Sequence, residues 1–321
     1  MWARLKGIFG WISSRLNWRI GRRILLGLFI FLFFYYLVGM ALIQNINDDQ
    51  NFGHVIAEEN VAGGGLRKSH AVAVSIALID REINTHSWIT NDPPIMPGYM
   101  LDNMAHYQQG IISALAILAV ELKDQLGRNR GSSQTDNDLK EYASAINYAP
   151  NKWYWVLTAG RSEKQYAKAL EKLISYEQRL EKGEAVFDKR ADNLMATLDK
   201  VALDLGSSSD RIAKKIHNGI GCVFDTKADD LFYEAKGRAY AYSLVLKGLR
   251  RDFEQIISDR EIAASWDLME QSLSSLINLD PMVVANCDAD GFLFQNHLGM
   301  EGFYLLRART QLKEITNILV K

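Results

Sequence analysis

The chain has 321 residues, 37 basic and 38 acidic, for a formal net charge of −1. Six cations, Arg4, Lys6, Arg15, Arg19, Arg22 and Arg23, fall in the first 23 residues with no acid among them, so the remainder carries 31 basic against 38 acidic groups, a formal −7. Such an acidic body excludes nucleic acid as a partner and has no electrostatic attraction to anionic lipid or wall polymers.

In chain order, Trp2, Leu5, Ile8, Phe9, Ile12, Leu16 and Ile20 recur at helical spacing, with Arg15, Arg19 and Arg22 elsewhere around the wheel. Two readings stay open for residues 1–23: a short basic amphipathic helix on an anionic inner leaflet, or an unstructured topogenic leader. Ile24 to Ile43 then holds twenty residues without a charge, and at 1.5 Å per residue it reaches roughly 30 Å, the hydrocarbon thickness of a bilayer. Asp48, Asp49, Glu58 and Glu59 follow. The positive-inside rule keeps the N-terminus in the cytoplasm and exports the rest. The apolar run exceeds that of a cleaved signal peptide and no A-x-A site follows it, so it reads as an uncleaved anchor. The expected product is a single-pass inner-membrane protein with a periplasmic domain, its anchor in contact with membrane lipid.

Residues 44–65 read as a flexible stalk, polar at Asn47–Asn51 and ending in Gly63-Gly64-Gly65. From 66 to 321, about 255 residues suffice for one large helical domain or two smaller ones. Helical periodicity marks 66–85 through Val72, Ile76, Ile79 and Ile83, and 101–126 through Ile111, Ile112, Leu115, Leu118 and Leu122. Capping boxes are expected at Asp138/Glu141, Ser162/Gln165 and Ser258/Glu261. Further helices are expected near 162–181, 184–206, 209–218, 228–257, 259–279 and 297–319, with a solvated hairpin turning near Gly183. Trp153–Leu157 alone resembles a strand, and one strand makes no sheet. The fold class is all-α, one transmembrane helix followed by a multi-helix domain, without internal repeats or a coiled-coil rod.

Residues 85–110 stand apart. Three of the five prolines, Pro93, Pro94 and Pro97, set a rigid extended loop between two helices. Around it gather His86, Trp88, Asn91, Asp92, Tyr99, Asp102, Asn103, His106 and Tyr107, aromatic and amide groups of the kind that bind sugars or peptides. The alternative is an ordered corner, with Trp88 and Tyr99 packed inward and Asn91 or Asp102 acting as caps. Asp102 and His106 share a helix face at i,i+4, a spacing that suits a metal or a charge-assisted hydrogen bond. Spacing identifies no third ligand, so no metal site is assigned. Asp80 and Glu82 diverge by roughly 200° on a helix and do not form an acid/base pair.

Other stretches read as connections. Arg128–Gln134 has arginines beside Gly and Ser before a helix start, an anion site or a polar linker. Asp288-Ala289-Asp290-Gly291 resembles part of a calcium loop, but His297 stands where the loop's closing glutamate belongs. Cys222 and Cys287 are the only cysteines, either one disulfide or two separately buried thiols. No cofactor motif, zinc cluster or nucleophile motif occurs.

Three segments, ALIDREINTHSWITNDP with PGYMLDNMAHYQQG, GRNRGSSQTDNDL and FQNHLGMEGFYLLRARTQLKEI, resemble a family of bacterial membrane-anchored proteins, proteobacterial in character, known only as a domain of unknown function. The resemblance covers most of the chain. It implies an inner-membrane location in a Gram-negative cell and brings no activity, cofactor or catalytic residue. The expected role is non-enzymatic: a helical periplasmic domain that binds another envelope component, protein or glycan. The alternative is a cell-wall hydrolase using a carboxylate near the Pro-rich loop, Glu82 or Asp102. A sensor has no room for an output domain in 23 leader residues.

Overall fold

The computed structural model describes residues 18–52, 69–93, 95–99, 102–128, 135–152, 161–218, 222, 225–287 and 295–320. Ten α-helices and no strand occur among them. The leader up to residue 17, the glycine run, residues 129–134, Trp153–Leu157 and residues 288–294 lie outside the described residues.

Helix α1, Trp18–Ile43, is apolar from Ile24 on and mostly exposed, with no residue of its apolar window fully buried; its last turns touch the body that follows, at Tyr35, Gly39 and Ile43. Nine further α-helices follow among the described residues, organised around α7, Thr226–Asp252. From Ala235 to Leu246 every residue of α7 is buried, the signature of a helix covered on all sides. Small residues permit this. Gly237 lies against the Tyr107 backbone and Gly110 against the Glu234 backbone, where a Cβ would collide with a main-chain carbonyl. That pair brings α3, Asn103–Glu121, into backbone contact with α7.

Ion pairs fix the other directions. Helix α6, Ala191–His217, runs antiparallel to α7 through Asp204–Arg238, Glu234–Arg211 and Lys215–Asp225. Helix α10, His297–Leu319, runs antiparallel to α6 through Lys313–Asp199 and the packing of Gly302 on Ile212. Helix α9, Ala263–Ile277, returns beside α7, with Arg250 bound to Asp267 and Lys236 donating to the Leu279 carbonyl. Helix α2, His70–Asp80, lies on the other flank with Ala71 against Gly248. The hairpin of α4, Asn137–Ile146, and α5, Ser162–Lys182, packs outside α2 and α3. A short helix α8, Glu254–Asp259, joins α7 to α9. One apolar core extends from Ala71 to Leu319.

The bundle therefore has two ends. At the foot lie the exit of α1, the starts of α3, α7 and α10, and the ends of α6 and α9. At the head lie the starts of α2, α6 and α9. A disulfide between Cys222 and Cys287 ties together two foot loops, deciding between the two cysteine readings.

Three expectations need correction. The flexible stalk is not free over residues 44–52. The Asn47 carbonyl accepts from Tyr107 (3.0 Å), Asp48 pairs with Lys236 (2.9 Å), the Asp49 carbonyl accepts from Tyr240 (2.9 Å) and that of Gln50 from Lys247 (3.2 Å). The donors on α7 share one face, so this strap climbs the central helix from foot to head. All three capping boxes also fail. Asp136, not Asp138, caps α4, accepting from the Asp138 and Leu139 amides while chelated by Arg179. Ser258 lies within α8, and α9 begins only at Ala263. Ser162 opens α5 but bonds the Ala149 carbonyl instead of capping. The expected helices at 184–206 and 209–218 are one, because Ser208 and Ser209 are buried against neighbours. Gly183, at φ 77°, ends α5 in the left-handed region where glycine is unstrained.

Candidate functional site

The Pro-rich region is built from the end of α2. There the helix widens into a π-turn, Arg81–Thr85, which turns Glu82 into the core, where it is fully buried. Arg81 Nε donates to Glu82 Oε1 (2.8 Å), Gln108 Nε2 to Glu82 Oε2 (3.2 Å), and His86 Nδ1 lies 3.4 Å from Oε2. Burial pushes the Glu82 carboxyl up, but the His86 hydrogen bond and the Arg81 charge outweigh it and hold Glu82 below the usual carboxylate range. The Arg81 guanidinium lies between the rings of Phe52 (4.7 Å) and Tyr240 (5.0 Å). Glu82 and His86 thus form an interior knot joining α2, α3, α7 and the strap. A polymeric substrate has no access to this carboxylate.

Ser87, at φ 64°, reverses the chain out of the π-turn. Trp88 is buried, donates to the Pro150 carbonyl (3.0 Å) and packs edge-on against Tyr166. Asn91 is buried and donates to the Lys152 carbonyl (3.1 Å) and Glu163 (2.9 Å). These two side chains fasten the loop to the start of α5. Asp92 is half-buried, and burial followed by the Glu163 charge moves its carboxyl up to about 6. Tyr107 is buried under the strap. Tyr99 is exposed.

Of the nine residues expected to form a binding surface, the structure brings Asp102, Asn103 and His106 together at the foot. Asp102 occupies the N-cap position of α3 without bonding the helix amides. His106 Nε2 lies 3.9 Å from Asp102 and 3.3 Å from Asp230 on α7, and Asn103 bonds Tyr233. One donor atom from each of Asp102, His106 and Asp230 lies within 4.8 Å of the others. Burial, then Asp102 and Asp230, move the adjacent Asp229 up to about 6. Two carboxylates and an imidazole at this spacing suit a hard divalent cation completed by water. A polar contact of His106 with Asp230 and Asp102, holding no ion, meets the same geometry. Asp230 lies 124 positions beyond His106, beyond the reach of any local spacing rule.

A family model for uncharacterised proteins conserved in bacteria, DUF2333, matches residues 11–220 and 224–321. The chain belongs to the DUF2333 family. No curated protein and no solved structure matches it. Within 11–321 the DUF2333 match omits only residues 221–223, so it takes in α1, the Pro-rich loop, the foot cluster and the head.

The head of this DUF2333 chain holds a second feature with no signal in the sequence pattern. A cleft of about 730 Å³ opens between α7, α8 and α9, lined by His70, Lys247, Arg250, Arg251, Glu254 and Glu270 among others. Arg250 binds Asp267 (2.7 Å) and Glu270 (3.1 Å), while burial lowers the Lys247 ammonium. Beside it Asp252, buried at the end of α7, accepts from Ser69 Oγ (2.8 Å) and the His70 (2.8 Å) and Ala71 (3.0 Å) amides. A carboxylate from 182 positions away therefore caps the start of α2.

Proposed function

We propose that the protein is a single-pass inner-membrane protein, N-terminus cytoplasmic, whose helical domain lies in the periplasm and acts by binding another envelope component, protein or glycan. The observation that carries this reading is the pairing of an unburied apolar helix with a disulfide in the body that follows it. Bridges of this kind persist in oxidising compartments and are rare in the cytosol. Arg19, Arg22 and Arg23 on one side of the apolar run and Asp48 and Asp49 on the other support the same orientation. Retention of α1 as an anchor is supported by the strap. Among the described residues, 47–50, just beyond the helix, are bonded into the body.

A binding role fits the arrangement of the carboxylates. Glu82 is sealed in the core, so the hydrolase alternative rests on Asp102 beside Asp230. Asp102→Ala separates the readings: lost wall degradation with the fold intact supports an enzyme, whereas lost partner capture without turnover supports a binder.

The primary test is a phosphatase active only in the periplasm, fused after Lys321 and assayed in intact cells beside a cytoplasm-active reporter. Phosphatase activity is expected. A silent phosphatase with an active cytoplasmic reporter would overturn the orientation. Alkylation without reductant adds a check, since Cys222 and Cys287 are expected to stay unlabelled until reduced.

A further inference from the structure

The loop from Pro93 to Tyr99 reaches past the foot of the body and runs beside α1. Tyr35 Oη donates to the Ile95 carbonyl (3.3 Å) and lies 4.0 Å from Met96 Sδ. Gly39 rests directly on the Pro97 ring, leaving no room for a Cβ. Gly39 and Tyr35 precede the end of α1 at Ile43 by four and eight residues, placing Pro97 about 6 Å and Ile95 about 12 Å back along the helix. Because Ile24–Ile43 spans the hydrocarbon, its end at Ile43 marks the headgroup side of the acyl chains. Contacts about 6 to 12 Å back along α1 therefore put the loop tip just inside that boundary, among the outer acyl-chain segments.

The chemistry of the loop matches that depth. Residues 93–101 carry no charge, and acids stand only at the flanks, Asp92 and Asp102. Ile95 is 64% exposed, Met96 42% and Tyr99 57%, whereas Trp88, Ile89 and Asn91 higher in the loop are buried. Backbone in an apolar medium must satisfy its own polar groups. Pro93, Pro94 and Pro97 have no N–H to satisfy. The Met96 amide donates to the Pro93 carbonyl (2.8 Å) and that of Tyr99 to the Met96 carbonyl (3.2 Å), while Tyr35 serves the Ile95 carbonyl. Tyr99 joins Tyr35 and Tyr36 as an aromatic belt of the kind found at membrane interfaces.

We propose that the tip formed by Ile95, Met96 and Tyr99 is a second membrane contact, seated in the periplasmic-side interface of the bilayer that α1 crosses. With the bonded strap, it holds the body against the membrane by its foot at two points instead of letting it swing on a tether. The proposal rests on the reading of α1 as a membrane span, and its test separates the two.

The native cysteines are joined to each other, so one added thiol labels alone. Full-length protein carrying Ile95→Cys, Leu37→Cys in α1 or Glu184→Cys in the exposed α5–α6 turn is labelled with an environment-sensitive fluorophore. Each is reconstituted into phosphatidylethanolamine/phosphatidylglycerol vesicles. Iodide quenches from the water, and a lipid with a nitroxide near the top of its acyl chain quenches from the membrane. Position 95 is expected to be quenched several-fold less by iodide than position 184, and by the nitroxide lipid as position 37 is. Iodide quenching at 95 equal to that at 184, with 37 protected, would overturn the loop contact and leave the span standing. Protection at 95 from both quenchers would place the tip against protein and also overturn it. Iodide access at 37 would remove the span, and this inference with it.

Discussion

Glu301 gives the sharpest test of the packing. It lies on α10, fully buried, and neither carboxyl oxygen has a hydrogen-bond partner among the described residues. Burial pushes the carboxyl well above its ordinary range, with Lys236 opposing and Glu234 reinforcing the shift. The folded protein thus keeps a proton that the unfolded chain releases near pH ~4.3. Across that window the unfolded state binds fewer protons, so stability falls as pH rises, by about 1.4 kcal/mol per unit, up to the folded-state ionisation. Glu301→Gln keeps the shape and removes the titration. The variant is expected to match the natural protein within about 1 kcal/mol near pH 4 and then to gain about 1.4 kcal/mol per unit as the pH is raised. Urea unfolding of the full chain in detergent micelles, repeated from about pH 4 to about pH 7, reads the difference. A gap that stays constant with pH would refute the reasoning, because Glu301 would then ionise inside the fold.

Replacing both Cys222 and Cys287 by serine removes a bridge across 65 positions and is expected to cost about 4 kcal/mol by loop entropy, read as a lower urea midpoint. Gly237→Ala forces α7 away from the Tyr107 backbone and is expected to cost about 1–3 kcal/mol, measured the same way. Asp252→Ala orphans two amides and a hydroxyl at the start of α2, at an expected cost of about 2–4 kcal/mol. Asp252→Asn is expected to cost less, and hydrogen exchange should show the loss concentrated at residues 70–75.

Fold class and the last helix were legible because each rests on local pattern. Helix α10 covers 297–319 as expected, although its buried apolar stripe is Leu298, Leu305, Ala308, Leu312 and Ile315, and Phe303 and Leu306 stay exposed. The central helix was legible as a helix but not as the centre. Lys236 and Arg238 imply a solvated face, yet both are buried, because Asp48 and the Leu279 carbonyl hold one and Asp204 and Glu234 the other. Three of these partners come from separate, distant segments, and only Glu234 is local to the helix. The capping boxes misled for a related reason: Asp138 and Ser162 have the right spacing, but Arg179 and the Ala149 carbonyl offer them better partners.

The candidate site divides along the same line. Trp88, Asn91 and Tyr107 were singled out by residue type, and type alone does not separate an aromatic that binds a ligand from one that binds the neighbouring helix. What separates them is the strap and the start of α5, distant segments that cover these side chains. Conversely, the apolar tip at Ile95 and Met96 carried no expected role, because its meaning depends on Tyr35 and Gly39 sixty positions earlier. The exit of α1, the disulfide, the Asp102–His106–Asp230 cluster and the loop tip all meet at the foot. A stalk free over its whole length would leave that end with no fixed relation to α1. A strap bonded along α7 gives it one, through the Asn47, Asp49 and Gln50 carbonyls and the Asp48 side chain.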